Sequence, residues 1–187
     1  MKKLLTVSFL AFATLALTGC VAASIPTGNY VAQSYTKAEG NALLGEFSYL
    51  PGEYGRVQPN QIQNKAIGPI LLDDNVENLV RQATALELRQ SGINVGNGHL
   101  RLDGTVEEFL ADDVGYNVDW RYRINYRLIN LKNHTTLLNR DYTVSLRTPK
   151  LAASLSDIAP RINKPIAQGF KQFIEDPEVQ RIFKENQ

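Results

Sequence analysis

Three arginines, Arg121, Arg123 and Arg127, stand on the polar side of an alternating stretch, and guanidinium is well suited to gripping an oxyanion. Its planar fork donates two parallel hydrogen bonds to phosphate or carboxylate. Three such groups on one sheet face are a candidate contact for a partner or for an anion such as a lipid headgroup or a peptidoglycan stem. The same residues also have a structural use. If Val106 faces Tyr122, Glu107 falls opposite Arg121 and Thr105 opposite Arg123. Cross-strand ion pairs of this kind contribute from a few tenths of a kcal/mol to about one.

Glu107, Glu108, Asp112 and Asp113 gather near one turn, but a calcium loop draws oxygens from alternating positions around a fixed glycine, and that spacing is missing. His99 and His134 have no Asp, Cys or second His at metal-ligand spacing. No Gly-x-Ser-x-Gly elbow places a nucleophile between strand and helix. Gly92, Gly96 and Gly98 follow a helix instead of opening one, so they read as turn residues and not as a phosphate cradle. The residues point to no catalytic group, no metal and no cofactor; the chain reads as a protein that is not an enzyme.

The remaining chemistry is that of one thiol. Lys2 and Lys3 precede an apolar run from Leu4 to Leu17, and Leu17-Thr18-Gly19-Cys20 closes it with small residues before the chain's single cysteine. A membrane span needs roughly 20 apolar residues, more than this run offers. The pattern resembles a bacterial lipoprotein signal. The resemblance implies cleavage before Cys20, a diacylglyceryl group on its sulfur and an acyl chain on the new amine. Each buried methylene contributes about 0.8 kcal/mol, so multiple chains make a stable anchor where one is marginal. The membrane is then a partner through the lipid on Cys20, and no thiol is left for a disulfide. Residue 21 is Val and not the Asp that retains such proteins at the inner membrane. By that sorting rule the address is the periplasmic face of the outer membrane of a Gram-negative envelope.

Among 187 residues, 20 Lys and Arg face 19 Asp and Glu, and removal of Lys2 and Lys3 leaves 18 against 19. A near-neutral domain has no general pull toward nucleic acid. The expected organisation is a signal peptide over 1–19, a lipidated cysteine and flexible tether over 20–41, and a single globular domain over 42–187. The tether is mostly small and polar, with Tyr30 and Tyr35 its only aromatic groups, and it buries too little to offset ordering.

The domain's elements follow from periodicity. Leu43 to Leu50 alternates as a strand and stops at Pro51-Gly52. Glu53 to Leu72, rich in Asn and Gln, shows neither helix nor strand period; it is either a functional loop or an insertion that packs Ile62, Ile67 and Ile70 over the sheet. A helix over Asn75 to Ser91 has Asp73 or Asp74 to cap it, Glu77 to complete a capping box, Val76, Leu79, Val80, Ala83 and Leu86 on one face, and Gly92 as its stop. Ile93 to Val95, Leu100 to Phe109, Asn117 to Leu131 and Leu137 to Leu146 read as an antiparallel meander, with Trp120 and Tyr122 facing the core. Ile129 and Leu131 add apolar surface at the end of the arginine face.

Ser154 or Ser156 opens a helix whose stripe is Leu155, Ile158, Ile162, Ile166, Phe170, Phe173 and Ile174, kinked or restarted near Pro160 and Pro165. Asp176-Pro177 caps a last short helix. The expected fold is α+β, an antiparallel sheet of about four to five strands with two long helices packed on one face as a two-layer sandwich.

The lipobox, the Asn75 to Ser91 helix ending in Ser-Gly-Ile-Asn-Val, the meander and the tail from Glu178 to Asn186 are similar to the YajG-type envelope lipoproteins. The element order is shared more loosely with auxiliary lipoproteins of ABC-type transporters. The resemblance implies an outer-membrane accessory protein without known catalysis and carries over no functional residue. Two function classes follow: an interaction module for an envelope protein partner, and a carrier holding a lipid or other amphiphile between sheet and helices. A carrier needs an apolar cavity of several hundred Å³.

Overall fold

The computed structural model describes residues 24–186 apart from 29, 66–67, 114 and 150–154, with the backbone alone over 155–159. The signal segment, Cys20, Ile67 and Ser154 lie outside the described residues, as do the side chains of Leu155, Ser156 and Ile158.

The order is β1 (Gly40–Tyr49), α1 (Leu50–Glu53), β2 (Gln61–Asn64), β3 (Ile70–Leu71), α2 (Val76–Ser91), β4 (Ile93–Val95), β5 (Leu100–Asp112), β6 (Asn117–Asn130), β7 (Thr135–Pro149), α3 (Leu155–Glu175) and α4 (Pro177–Glu185). Three of the four strands expected in the meander are present as β5, β6 and β7, which pair antiparallel, whereas the fourth, β4, pairs parallel with β1 instead. The rest of the sheet corrects the expectation of four to five antiparallel strands. Among the described residues it has seven and is mixed, since β1 runs parallel to both β4 and β5, and β2 runs parallel to β5. β2 and β3 form in the Asn/Gln-rich stretch that shows no strand period, because neighbouring edges supply their pairing. Ile62 of β2 is fully buried.

Alternation sends Trp120, Tyr122, Ile124, Tyr126 and Leu128 of β6 into the core. Both long helices reach this face: the Thr84 hydroxyl of α2 lies 2.9 Å from that of Tyr126, and Gly169 of α3 packs on the Tyr122 ring. α3 runs through Pro160 and Pro165 as one helix of 21 residues, with no restart between them. Ile162, Ile166, Phe170, Phe173 and Ile174 are all buried on the core, and packing of this stripe outweighs the hydrogen bonds the two prolines forfeit.

The caps divide. Gly92 closes α2 at φ 105°, a left-handed conformation that glycine adopts without a Cβ penalty, and Asp176 caps α4 by accepting from the Glu178 amide at 2.9 Å. At the start of α2, however, Asn75 is the N-cap and makes no side-chain cap bond. Asp73 instead accepts from the backbone amide and hydroxyl of Thr27 at 2.8 and 2.6 Å, and Asp74 accepts from Asn78 at 2.8 Å.

Asp73 is diverted because residues 24–28 and 30–39 are packed on the domain, contrary to the expectation of a loose tether. Ile25 is buried beside Leu72; its amide donates to the Leu71 carbonyl at 2.8 Å and its carbonyl accepts from Asp73 at 3.1 Å. Tyr30, Ser34 and Ala38 are buried as well. The polar composition is offset by one acceptor. The Glu87 carboxylate of α2, only 1% exposed, accepts from the Tyr30 hydroxyl at 2.6 Å and from the Gln33 and Ser34 amides at 2.9 and 2.8 Å. Burial, together with that carboxylate, pushes the Tyr30 hydroxyl pKa far above its ordinary value.

Candidate functional site

The arginine stripe lies on the sheet face opposite the core, and each guanidinium has a carboxylate of β5 beside it. Arg121 Nε is 3.4 Å from Glu108, Arg123 Nε is 2.8 Å from Glu107, and Arg127 Nη2 is 2.9 Å from Asp103. The expected register is corrected. Val106 pairs with Ile124 and Phe109 with Tyr122, because an irregularity between Val106 and Glu108 inserts Glu107 as an extra residue. Glu107 therefore reaches Arg123 instead of Arg121. With the arginine side chains about half exposed, each pair contributes on the order of 0–1 kcal/mol. An arriving anion would compete with a carboxylate at every position.

The remaining candidates separate. Asp112 pairs with Lys65 at 2.9 Å, and Asp113 is buried. His134 sits exposed in the hairpin turn at φ 57°, while the His99 carbonyl accepts from the Leu131 amide at 2.8 Å. Among the described residues no three His, Cys, Asp or Glu side chains gather to hold a metal ion. Ile129 is buried and Leu131 half-buried, so they add little open apolar surface.

Aromatic rings occupy the space where a carrier would hold its cargo. Tyr126 and Phe173 have ring centroids 4.7 Å apart, Phe109 and Tyr122 5.1 Å, and Tyr142 and Phe173 5.8 Å, with tilted or edge-on geometry. A gap among Ile25, Leu72, Leu79 and Ile162 measures about 10 Å³, the room of one water. The Tyr122 hydroxyl is fully buried with no hydrogen-bond partner among the described residues, and burial raises its pKa well above the ordinary value. Tyr122→Phe is therefore expected to leave stability unchanged or raise it by up to about 1 kcal/mol, since it removes an unsatisfied polar atom and no hydrogen bond. A loss of similar size on denaturant titration would contradict this.

The open concavity lies elsewhere. A groove of about 480 Å³ runs between β1, represented by Leu43 and Leu44, and the outer side of α2, represented by Arg81, Ala85, Leu86 and Arg89. Sequence periodicity assigns Leu86 to the buried face of α2, but the side chain is 38% exposed and lines this groove. No step in the spacing marks this, since Leu86 follows Ala83 by the same three residues that separate Val80 from Ala83; Glu87 and Leu88 take the buried positions of that turn instead.

No protein-family model and no curated protein matches this chain. Solved structures do. Protein XCC0632 from Xanthomonas campestris, of family DUF330, superposes with a TM-score of 0.61 at 11% identity, over 88% of this chain and 96% of that one. A minor lipoprotein from Acinetobacter baumannii reaches 0.41 at 10% identity, over 73% and 94%. Lipoprotein GNA1162 from Neisseria meningitidis reaches 0.38 at 13%, over 68% and 98%. The two lipoproteins are too distant in shape to carry an argument, and none of the three singles out the YajG type. What the chain shares with the Xanthomonas protein is the fold.

Proposed function

We propose that the chain is a lipid-anchored protein of the periplasmic face of the outer membrane, serving as a non-catalytic interaction module of the cell envelope. The observation that carries this reading is the Leu17-Thr18-Gly19-Cys20 sequence after the basic and apolar run, and the short distance from Cys20 to fixed structure says which end of the domain such an anchor would hold. Ile25, five residues on, is buried and bonded at Leu71 and Asp73. Five residues reach at most about 18 Å, so a lipid on Cys20 holds the Ile25 and Leu72 end of the domain close to the bilayer. The filled core supports a module over a carrier, because the cargo space between sheet and helices is occupied by the protein's own rings.

Cys20→Ser is expected to abolish incorporation of labelled palmitate and to move the protein from the membrane pellet to the soluble periplasmic extract. Retention of Cys20→Ser in the pellet would overturn the anchor. For the module, a photoreactive residue at exposed Tyr54 or at Arg123 in intact cells should capture one defined envelope protein; capture of lipid alone would favour the carrier.

A further inference from the structure

We infer that the groove between β1 and α2 is a strand-addition site for an extended peptide segment whose pattern is acid, any residue, apolar, any residue, acid. The inference rests on the interaction-module reading and gives the partner its chemistry.

The backbone supplies the first argument. β4 pairs with β1 only at Gly40, Asn41 and Ala42, ending at Val95, and from Leu43 to Tyr49 the pairing partner of β1 is β5 alone among the described residues. One edge of β1 is therefore unpaired where the groove lies. Such an edge is a template for another strand, with main-chain hydrogen bonds giving affinity and flanking side chains giving specificity. At present the Arg81 Nε–H reaches the Gly45 carbonyl at 3.3 Å, a long bond from an exposed side chain.

Charge supplies the second. Arg81 and Arg89 line the groove, and none of its lining residues carries a carboxylate. Neither arginine has an ion-pair partner among the described residues, in contrast to Arg121, Arg123 and Arg127, each of which has one. Between the two cations the lining is mostly apolar, with Leu44, Ala85 and Leu86 beside the uncharged Gln82. An occupant that complements this surface is acidic at both ends and apolar in the middle.

Spacing makes the pattern specific. Arg81 and Arg89 are two helical turns apart, about 12 Å along the axis of α2. A strand covers that distance in about four residues, and positions i, i+2 and i+4 face the same side. Two carboxylates four residues apart then meet the two guanidiniums, while the residue midway between them meets Leu86.

The test is fluorescence anisotropy of a labelled peptide with a Glu-Thr-Leu-Thr-Glu core, titrated with the full chain in detergent micelles. Saturable binding is expected. It should weaken about tenfold or more in the Arg81→Glu/Arg89→Glu variant and recover when the peptide carries Lys in place of Glu, a rescue that a misfolded variant would not give. N-methylation of the central peptide amides, which leaves every side chain in place, should abolish it. Binding that ignores both charge reversal and N-methylation overturns the proposal, as does saturable binding to phosphatidylglycerol vesicles or to a second copy of the chain in place of the peptide. Loss of peptide binding with palmitate labelling of Cys20 intact removes this groove and leaves the anchored module. Loss of labelling with peptide binding intact does the reverse.

Discussion

Glu87→Ala is expected to cost about 3 kcal/mol or more and to release residues 30–38 from the domain. The carboxylate satisfies three donors, the Tyr30 hydroxyl and the Gln33 and Ser34 amides, at 2.6 to 2.9 Å. Removing a buried acceptor leaves each donor either unsatisfied, at about 1–3 kcal/mol apiece, or free to reach water only by leaving its packed position. The second route also gives up the burial of Tyr30 and Ala38 and the hydrogen bond from Ser91 to Ser34 at 3.0 Å. Glu87→Gln should be intermediate, because an amide keeps one acceptor oxygen but turns an NH₂ group toward a donor. Urea titration would read the stability, and hydrogen exchange at the Gln33, Ser34 and Ala38 amides would read the release. A loss below about 1 kcal/mol with unchanged exchange would show that the segment is held by something other than this carboxylate.

Glu87 also shows where the sequence stops being legible. It stands four residues after Ala83 and seven after Val80, on the buried line of α2, and a charge at such a position signals a buried partner. The sequence does not say which partner, because Tyr30 and Ile25 are isolated apolar residues in a polar run and leave no period. Periodicity served well where one face meets a core and the other meets water. β6 and β7, α2 with its Gly92 stop, and α4 with its Asp176 cap all lie close to where the residues place them. It is silent about partners. That β1 runs parallel to β5, or that β2 and β3 join the sheet at all, depends on which edges are free after the chain has folded.

The candidate site was legible in the same unequal way. The residue types of the arginine face predict ion pairs with β5, and ion pairs form. The partners shift because one extra residue, Glu107, enters at a bulge that no pattern marks. The groove could not be read at all, since Leu43, Leu44, Arg81 and Leu86 come together only through the placement of α2 beside the unpaired edge of β1. The proposal for Cys20 draws on no fold, because it is read from the residues immediately before it.

Gly45→Ala should be the most damaging single-methyl change on the arginine face, with an expected loss of about 3 kcal/mol. A Cβ at residue 45 would sit 1.9 Å from Asp103 Oδ1 and 2.7 Å from Arg101 Cδ, so the carboxylate or the strand must move. Asp103 is poorly placed to yield. It is 5% exposed, its carboxylate lies 3.0 Å from Arg101 Nε and 2.9 Å from Arg127 Nη2, and it accepts from the Glu46 amide at 3.2 Å. Displacing it strands two guanidiniums and the amide at the irregularity in β1 between Leu44 and Phe47. A double-mutant cycle with Asp103→Ala isolates the cause. If the clash is the mechanism, the second substitution makes room for the methyl, and the pair should cost at least 1 kcal/mol less than the sum of the singles. An additive cycle would place the damage in the backbone of β1 instead. The cycle also bears on Arg127: a variant that has lost Asp103 presents an uncompensated guanidinium, so anion binding that appears only there would mean that the native carboxylates keep this face closed to anions.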